Sequence, residues 1–147
     1  MTRINSAIPV ERLTDEQLLA EHLEITHLPY FLGKALQSGS INHIPQEFTL
    51  GTGHITFFLD KMLFTLNRYN TIREECVARG FAVTDMSHKW DSVPEQYMND
   101  YTPTPKDYND LIERIESRIM TSTKSTWHYK SSPISKECAI KILRGES

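Results

Sequence analysis

Between His54 and Arg79, apolar side chains recur at Ile55, Phe58, Leu59, Met62, Leu63, Leu66, Tyr69, Ile72, Cys76 and Val77. Steps of three and four residues mark one face of an α-helix, and the run ends at Gly80, a residue type favoured just past a helix C-terminus. The pattern predicts one continuous helix of about seven turns. A spine of that length cannot bury its own apolar stripe, so other segments must pack against it. Three further stretches carry the matching signals. Thr14 followed by Gln17 is a capping box, and Leu13 with Leu18 forms a hydrophobic staple across it. In the helix that follows, Leu18, Leu19, His22 and Leu23 are expected on one broad face, with Glu21 and Glu24 a turn apart near its other edge. Pro29 marks a kink or break, after which Tyr30, Phe31, Leu32 and Leu36 continue the apolar face until Ser38-Gly39-Ser40 stops it. Thr104, Pro105 and Asp107 open a third long helix that buries Tyr108, Leu111, Ile112, Ile115 and Ile119. Ser135 caps a last short helix bearing Ala139, Ile140, Ile142 and Leu143. The segments 38–49 and 81–103 show no sustained period and read as ordered loops with a turn or two. No strand run of useful length is visible. The expected fold is all-α, a compact single domain over residues 1–147, with about three main helices and long ordered loops.

Composition narrows the function classes. The hydrophobic share of 39% and charged share of 24% suit a globular domain, and no apolar run approaches the length needed to span a bilayer. The N-terminus lacks a basic segment followed by an apolar one, so an intracellular, cytoplasmic protein is expected. Cys76 and Cys138 are far apart and match no metal spacing; they read as thiols rather than as a disulfide or a ligand pair. A net charge of −3 does not describe a generally basic nucleic-acid binder, so any DNA site must be a local basic patch.

Several residues could carry chemistry. Thr2 follows the initiator methionine and is small enough for that methionine to be removed, which exposes an α-amine. Such an amine has a reference pKa of about 7.7–8, so part of it is an unprotonated nucleophile at neutral pH. Glu24 could protonate a leaving group, stabilise a sugar cation or move protons in an elimination, whereas a solvated helix glutamate is the commoner fate of such a residue. Glu21 is its natural control. Arg114 and Arg118, at i and i+4, could hold two phosphates, or could pair with Asp110 and Glu113 on the surface. The segment Lys124–Lys130 mixes Lys124, Trp127, His128, Tyr129 and Lys130, suited to phosphate contact with stacking; a Trp there could equally plug the core. His22 and His54 read as packing residues. There is no metal-ligand spacing, nucleotide loop or Ser/His/Asp pattern.

With these residues in view, the chain resembles the phage pyrimidine-dimer DNA glycosylases, the ultraviolet endonucleases of T-even phages. The resemblance rests on TRIN at 2–5, LLAEHLE at 18–24, LGTGHITFFLDK at 50–61, ARGF at 78–81, the Arg114/Arg118 pair and TWHYK at 126–130, in the family's order. It implies a three-helix protein that acts on cis-syn cyclobutane pyrimidine dimers in ultraviolet-damaged duplex DNA, in a phage-infected or bacterial cell. The Thr2 amine would attack C1′ of the 5′ nucleotide of the dimer, displace the base and leave a covalent imine. Glu24 falls at the family's essential glutamate, which stabilises the sugar cation and assists the β-elimination that nicks the strand. No metal or organic cofactor is implied. The family kinks the duplex and flips a base out opposite the lesion, a step that a damaged site makes easier. The DNA-facing set becomes Arg3, Gln17, His27, Arg114, Arg118, Trp127 and Lys130. A monomer is expected, because no helix shows a second long apolar stripe.

The chain departs from that pattern at two positions. The family typically has arginines flanking its glutamate, and here those positions hold Leu23 and His27. Each lost charge-assisted contact is worth about 1–3 kcal/mol. His27 would restore one only when protonated, below a reference pKa near 6.5, so DNA binding is expected to be weaker, more salt-sensitive and favoured by acid. Two other readings stand beside the leading one: a lyase or glycosylase for abasic sites or another modified base, and a non-catalytic nucleic-acid-binding relative.

Overall fold

The computed structural model describes residues 4–146 apart from the Asn42 side chain; Thr2 and Arg3 lie outside the described residues. The fold is mainly helical. Helix α1 spans Asp15–Glu24, α2 Leu28–Ser38, α3 His54–Phe57, α4 Met62–Ala78, α5 Pro105–Thr121 and α6 Lys136–Leu143. The predicted capping box of α1 closes, and the N-terminal signal at Thr104 proves to be a second one. The Thr14 hydroxyl accepts the Gln17 N–H while Gln17 accepts the Thr14 N–H, and Thr104 with Asp107 repeats the arrangement at α5. Pro29 sits in the first turn of α2, and a 3-10 turn over Ile25–His27 carries the chain from α1 into it.

The core is shared by the N-terminal segment (Ile4, Ile8, Leu13), α1 and α2 (Leu18, Ile25, Leu28, Leu32), α3 with the turn after it (Phe57, Phe58) and α4 (Met62, Tyr69, Ile72, Cys76). Leu111, Ile115 and Ile119 close it from α5, and Leu143 from α6. Tyr69 and Trp90 organise the 81–103 loop. The Tyr69 hydroxyl bonds Thr84 O and Met86 N, and the Trp90 indole donates to Thr65 Oγ1 at 3.0 Å.

Three expectations are corrected. The helix predicted over 54–79 is broken at Lys61, which is non-helical at φ −124°, ψ 43°. The groups released there find partners: Lys61 Nζ donates to Phe57 O and lies over the Phe57 ring, while Asn99 Nδ2 donates to Asp60 O and Asn99 O accepts Phe64 N–H. Second, a two-stranded antiparallel hairpin, β1 (Trp127–Tyr129) and β2 (Ser132–Ile134), occupies a stretch where no strand was visible. Its turn holds Lys130 at φ 50° and Ser131 at φ 69°, values that glycine or asparagine normally supply. The strain is offset by buried Asp15, whose carboxylate accepts both the Lys130 and the Ser131 N–H at 3.0 and 2.7 Å. Third, the buried face of α1 is Leu18, Glu21, His22 and Ile25, whereas Leu19 and Leu23 are exposed. The apolar count had aimed the helix about one residue step away from its true orientation.

Candidate active site

Glu21 and Glu24 are one turn apart on α1 but chemically different. Glu21 is 1% exposed and saturated: Arg68 on α4 meets it through Nε (2.9 Å) and NH2 (3.1 Å), and Asn5 Nδ2 donates to it at 3.0 Å. Arg68 NH1 also donates to Ile8 O at 2.6 Å, so this ion pair ties α1, α4 and the N-terminal segment together. Glu21 is thus a structural anchor and cannot serve as a neutral control for Glu24. Glu24 is half-buried and lines a cavity of about 300 Å³.

That cavity gathers residues from distant parts of the chain. Ile4 and Asn5 come from the N-terminal segment, and Glu16, Gln17, Glu21 and Glu24 from α1. Leu50 and His54 come from the loop before α3 and its first residue. The opposite side is Arg114 and Arg118 on α5, with Trp127 from β1. Arg114 NH1 donates to Leu50 O at 2.5 Å, which fixes it against the loop. Burial, and then the like charge of Arg118, pull Arg114 below the usual arginine range. Neither arginine has a carboxylate in ion-pair range among the described residues. Asp110 is engaged by Lys106 at 2.7 Å, and neither it nor Glu113 pairs with these arginines among the described residues. Two like charges held a turn apart, with no counter-ion among the described residues, suit an anionic ligand such as a phosphate.

Trp127 is held in place by its neighbours. Glu16 accepts the His128 backbone N–H at 3.0 Å and the His128 Nδ1–H at 2.8 Å, with Lys124 Nζ at 3.4 Å. Burial works to raise the Glu16 carboxyl, but the hydrogen bonds from His128 hold it below the usual carboxylate range. On the other side of the hairpin, Arg79 pairs with Asp15 at 3.0 Å and lies over the Tyr129 ring. The Trp127 Nε1–H is buried and has no hydrogen-bond partner among the described residues.

The remaining sequence-derived candidates divide. Gln17 lines the cavity, and its carbonyl end is used in the helix cap. His27 lies outside the cavity lining, at the start of α2 with its ring edge-on to Phe31. Lys130 is likewise outside it, exposed at the hairpin turn and reaching back over Tyr129. His22 packs as expected; burial, then Arg73, push its imidazole toward the neutral form. The residues the sequence did not reveal are Glu16 and His54. Glu16 reads as an ordinary first-turn acid, and its partner is 112 residues away.

A mainly helical protein with a carboxylate-bearing cleft faced by an indole and by two arginines that have no ion-pair partner among the described residues has the equipment for an anionic, aromatic ligand. A family model described as pyrimidine dimer DNA glycosylase matches residues 1–89, and the chain belongs to that family. Membership gives it the general role of a pyrimidine dimer DNA glycosylase, with DNA as its substrate. The matched segment includes Glu24 and His54, whereas α5 and the hairpin, which supply Arg114, Arg118 and Trp127, lie beyond it. No helix among the described residues is long and apolar enough to cross a membrane.

Proposed function

We propose that the chain removes the 5′ base of a cyclobutane pyrimidine dimer in ultraviolet-damaged duplex DNA and then nicks the strand as an abasic-site lyase. The nucleophile in this reading is the α-amine of Thr2. The observation that carries it is the convergence of Glu24, Arg114, Arg118 and Trp127 on the same cavity as Ile4 and Asn5, the residues that follow the amine in sequence. The amine nitrogen attacks C1′ as the glycosidic bond breaks, and the base leaves with the bonding electrons. Proton loss from the amine and opening of the sugar give an imine. Loss of a C2′ proton then expels the 3′ phosphate, and water releases the enzyme from the product. Glu24, as a carboxylate, stabilises positive charge at the sugar and moves protons in the elimination. Arg114 and Arg118 hold flanking phosphates, and Trp127 offers a stacking surface. All of this needs only the protein and water.

A narrower reading, lyase action on abasic sites, draws support from two positions. Leu23, next to Glu24, is 63% exposed and uncharged, and His27 is outside the cavity lining. Both stand where the resemblance places arginines. Lesion recognition is thereby weakened more than imine chemistry is.

Borohydride trapping separates the readings. Protein with Thr2 confirmed as its free N-terminus by mass spectrometry is mixed with dimer-containing, abasic and undamaged duplexes, and again as Glu24→Gln. An adduct on dimer DNA that disappears when the amine is blocked is the expected result, with strand nicking reduced in Glu24→Gln. An adduct on abasic DNA alone selects the narrower reading. Absence of any adduct rejects both.

A further inference from the structure

The chain just after the proposed nucleophile is anchored through one buried histidine. His54 is 3% exposed, and its two ring nitrogens make opposite kinds of hydrogen bond. Nδ1 faces Thr49 O at 2.9 Å, and a carbonyl can only accept, so Nδ1 carries the proton. Nε2 is 3.1 Å from the Ile4 backbone nitrogen and accepts its N–H. The ring is therefore a neutral imidazole in its Nδ1–H form. Phe48 and Phe58 pack edge-on against it at 5.6 and 5.4 Å, which fixes the ring plane. Gly53, at φ 96°, brings the chain into α3 where a Cβ would sit 3.2 Å from the Pro45 ring, so the approach to His54 is itself defined by a glycine.

We infer that His54 is the positioning residue for the N-terminal amine. This rests on the amine chemistry proposed above. Two residues of extended chain span at most about 7 Å, so chain connectivity alone sets that as the greatest distance of the Thr2 amine from the Ile4 nitrogen that His54 holds. Asn5, held by Glu21, removes the remaining freedom of the segment to swing about that point. The segment Ile4–Asn5 thus has a hydrogen bond on each of two successive residues, to the first residue of α3 on one side and to α1 on the other. An anchored chain delivers the amine to C1′ of a nucleotide bound beside Glu24 without a search, and misplacement by about 1 Å is enough to lower such a rate about 100-fold.

The test uses His54→Phe, which keeps an aromatic ring between Phe48 and Phe58 but removes the acceptor, and His54→Gln, which retains one donor and one acceptor. Single-turnover trapping on abasic duplex is measured at saturating DNA, alongside Kd for a duplex carrying a non-reactive abasic analogue. His54→Phe is expected to trap about 100-fold more slowly at unchanged Kd, with most of the rate recovered in His54→Gln. A wild-type trapping rate in folded His54→Phe, or a loss confined to Kd, overturns the inference while leaving the proposed chemistry standing. Absence of an adduct with the wild type overturns both. Hydrogen exchange at the Ile4 amide supplies an independent decision if His54→Phe does not fold: protection in the wild type is expected, and its absence removes the anchor on which the inference depends.

Discussion

The two long walls of the cavity treat charge in opposite ways. On the α1 side, Asp15, Glu16 and Glu21 are consumed by the fold: Arg79 and two turn amides take Asp15, His128 takes Glu16, and Arg68 with Asn5 takes Glu21. On the α5 side, Arg114 and Arg118 stand together without a carboxylate among the described residues. The difference teaches how an acidic chain can face DNA. Three of the four acidic side chains on α1 near the cleft are engaged internally, so the net charge of −3 says little about the potential where a ligand would enter.

Breaking the internally satisfied wall should have the largest effect. Glu21→Ala leaves Arg68 buried without its partner and should destabilise the protein by about 3–5 kcal/mol in urea titration. Glu24→Gln, one turn away on a half-exposed side chain, should change stability by less than about 1 kcal/mol. Similar losses for the two variants would erase the distinction between anchor and site.

The opposite wall should respond in binding rather than in folding. Arg118→Ala is expected to lower the slope of log K against log salt by about 1 and to leave the denaturation midpoint unchanged. Arg114→Ala should do the same to the salt slope, but with a further stability loss of about 0.5–1.5 kcal/mol, because it also bonds Leu50 O. A salt slope that does not move in either variant would remove phosphate contact from α5.

The smallest expected effect is a dependence on pH at the contact between Glu16 and His128. The Glu16 carboxyl lies below its ordinary value in the folded protein because of its hydrogen bonds from His128. Its contribution is therefore fully present above the unfolded pKa and is lost as pH falls through the folded one. Thermal melts should show the acid limb of the stability profile flattened slightly in Glu16→Gln. An identical acid limb in both proteins would mean that the carboxylate contributes nothing to hairpin docking.

How much of this was legible in the sequence follows from the range of the interactions. The caps of α1, α5 and α6 were readable because each is settled within four residues. The break at Lys61 was not, since its released groups are served by Asn99, far along the chain. The hairpin escaped notice because Lys130-Ser131 carries neither glycine nor asparagine, its left-handed backbone being held by Asp15 instead. For the site, residue types at 24, 114, 118 and 127 could be named from the resemblance, and all four line the cavity. What separated Glu21 from Glu24 was Arg68, 47 positions away, and no local pattern reveals such a partner.

The grip of Asp15 on the hairpin turn also sets an order of events during synthesis. Its two contacts join residues 115 and 116 positions apart, among the longest loops this chain closes. Contacts of such separation form late, because the entropy of loop closure must be met before they contribute. On a ribosome, α1 can be capped and packed while the hairpin is still unmade, yet the wall bearing Trp127 has nothing to dock until residues beyond 131 emerge. The cleft then matures late, and a nascent chain can hold much of its core before it can hold a ligand.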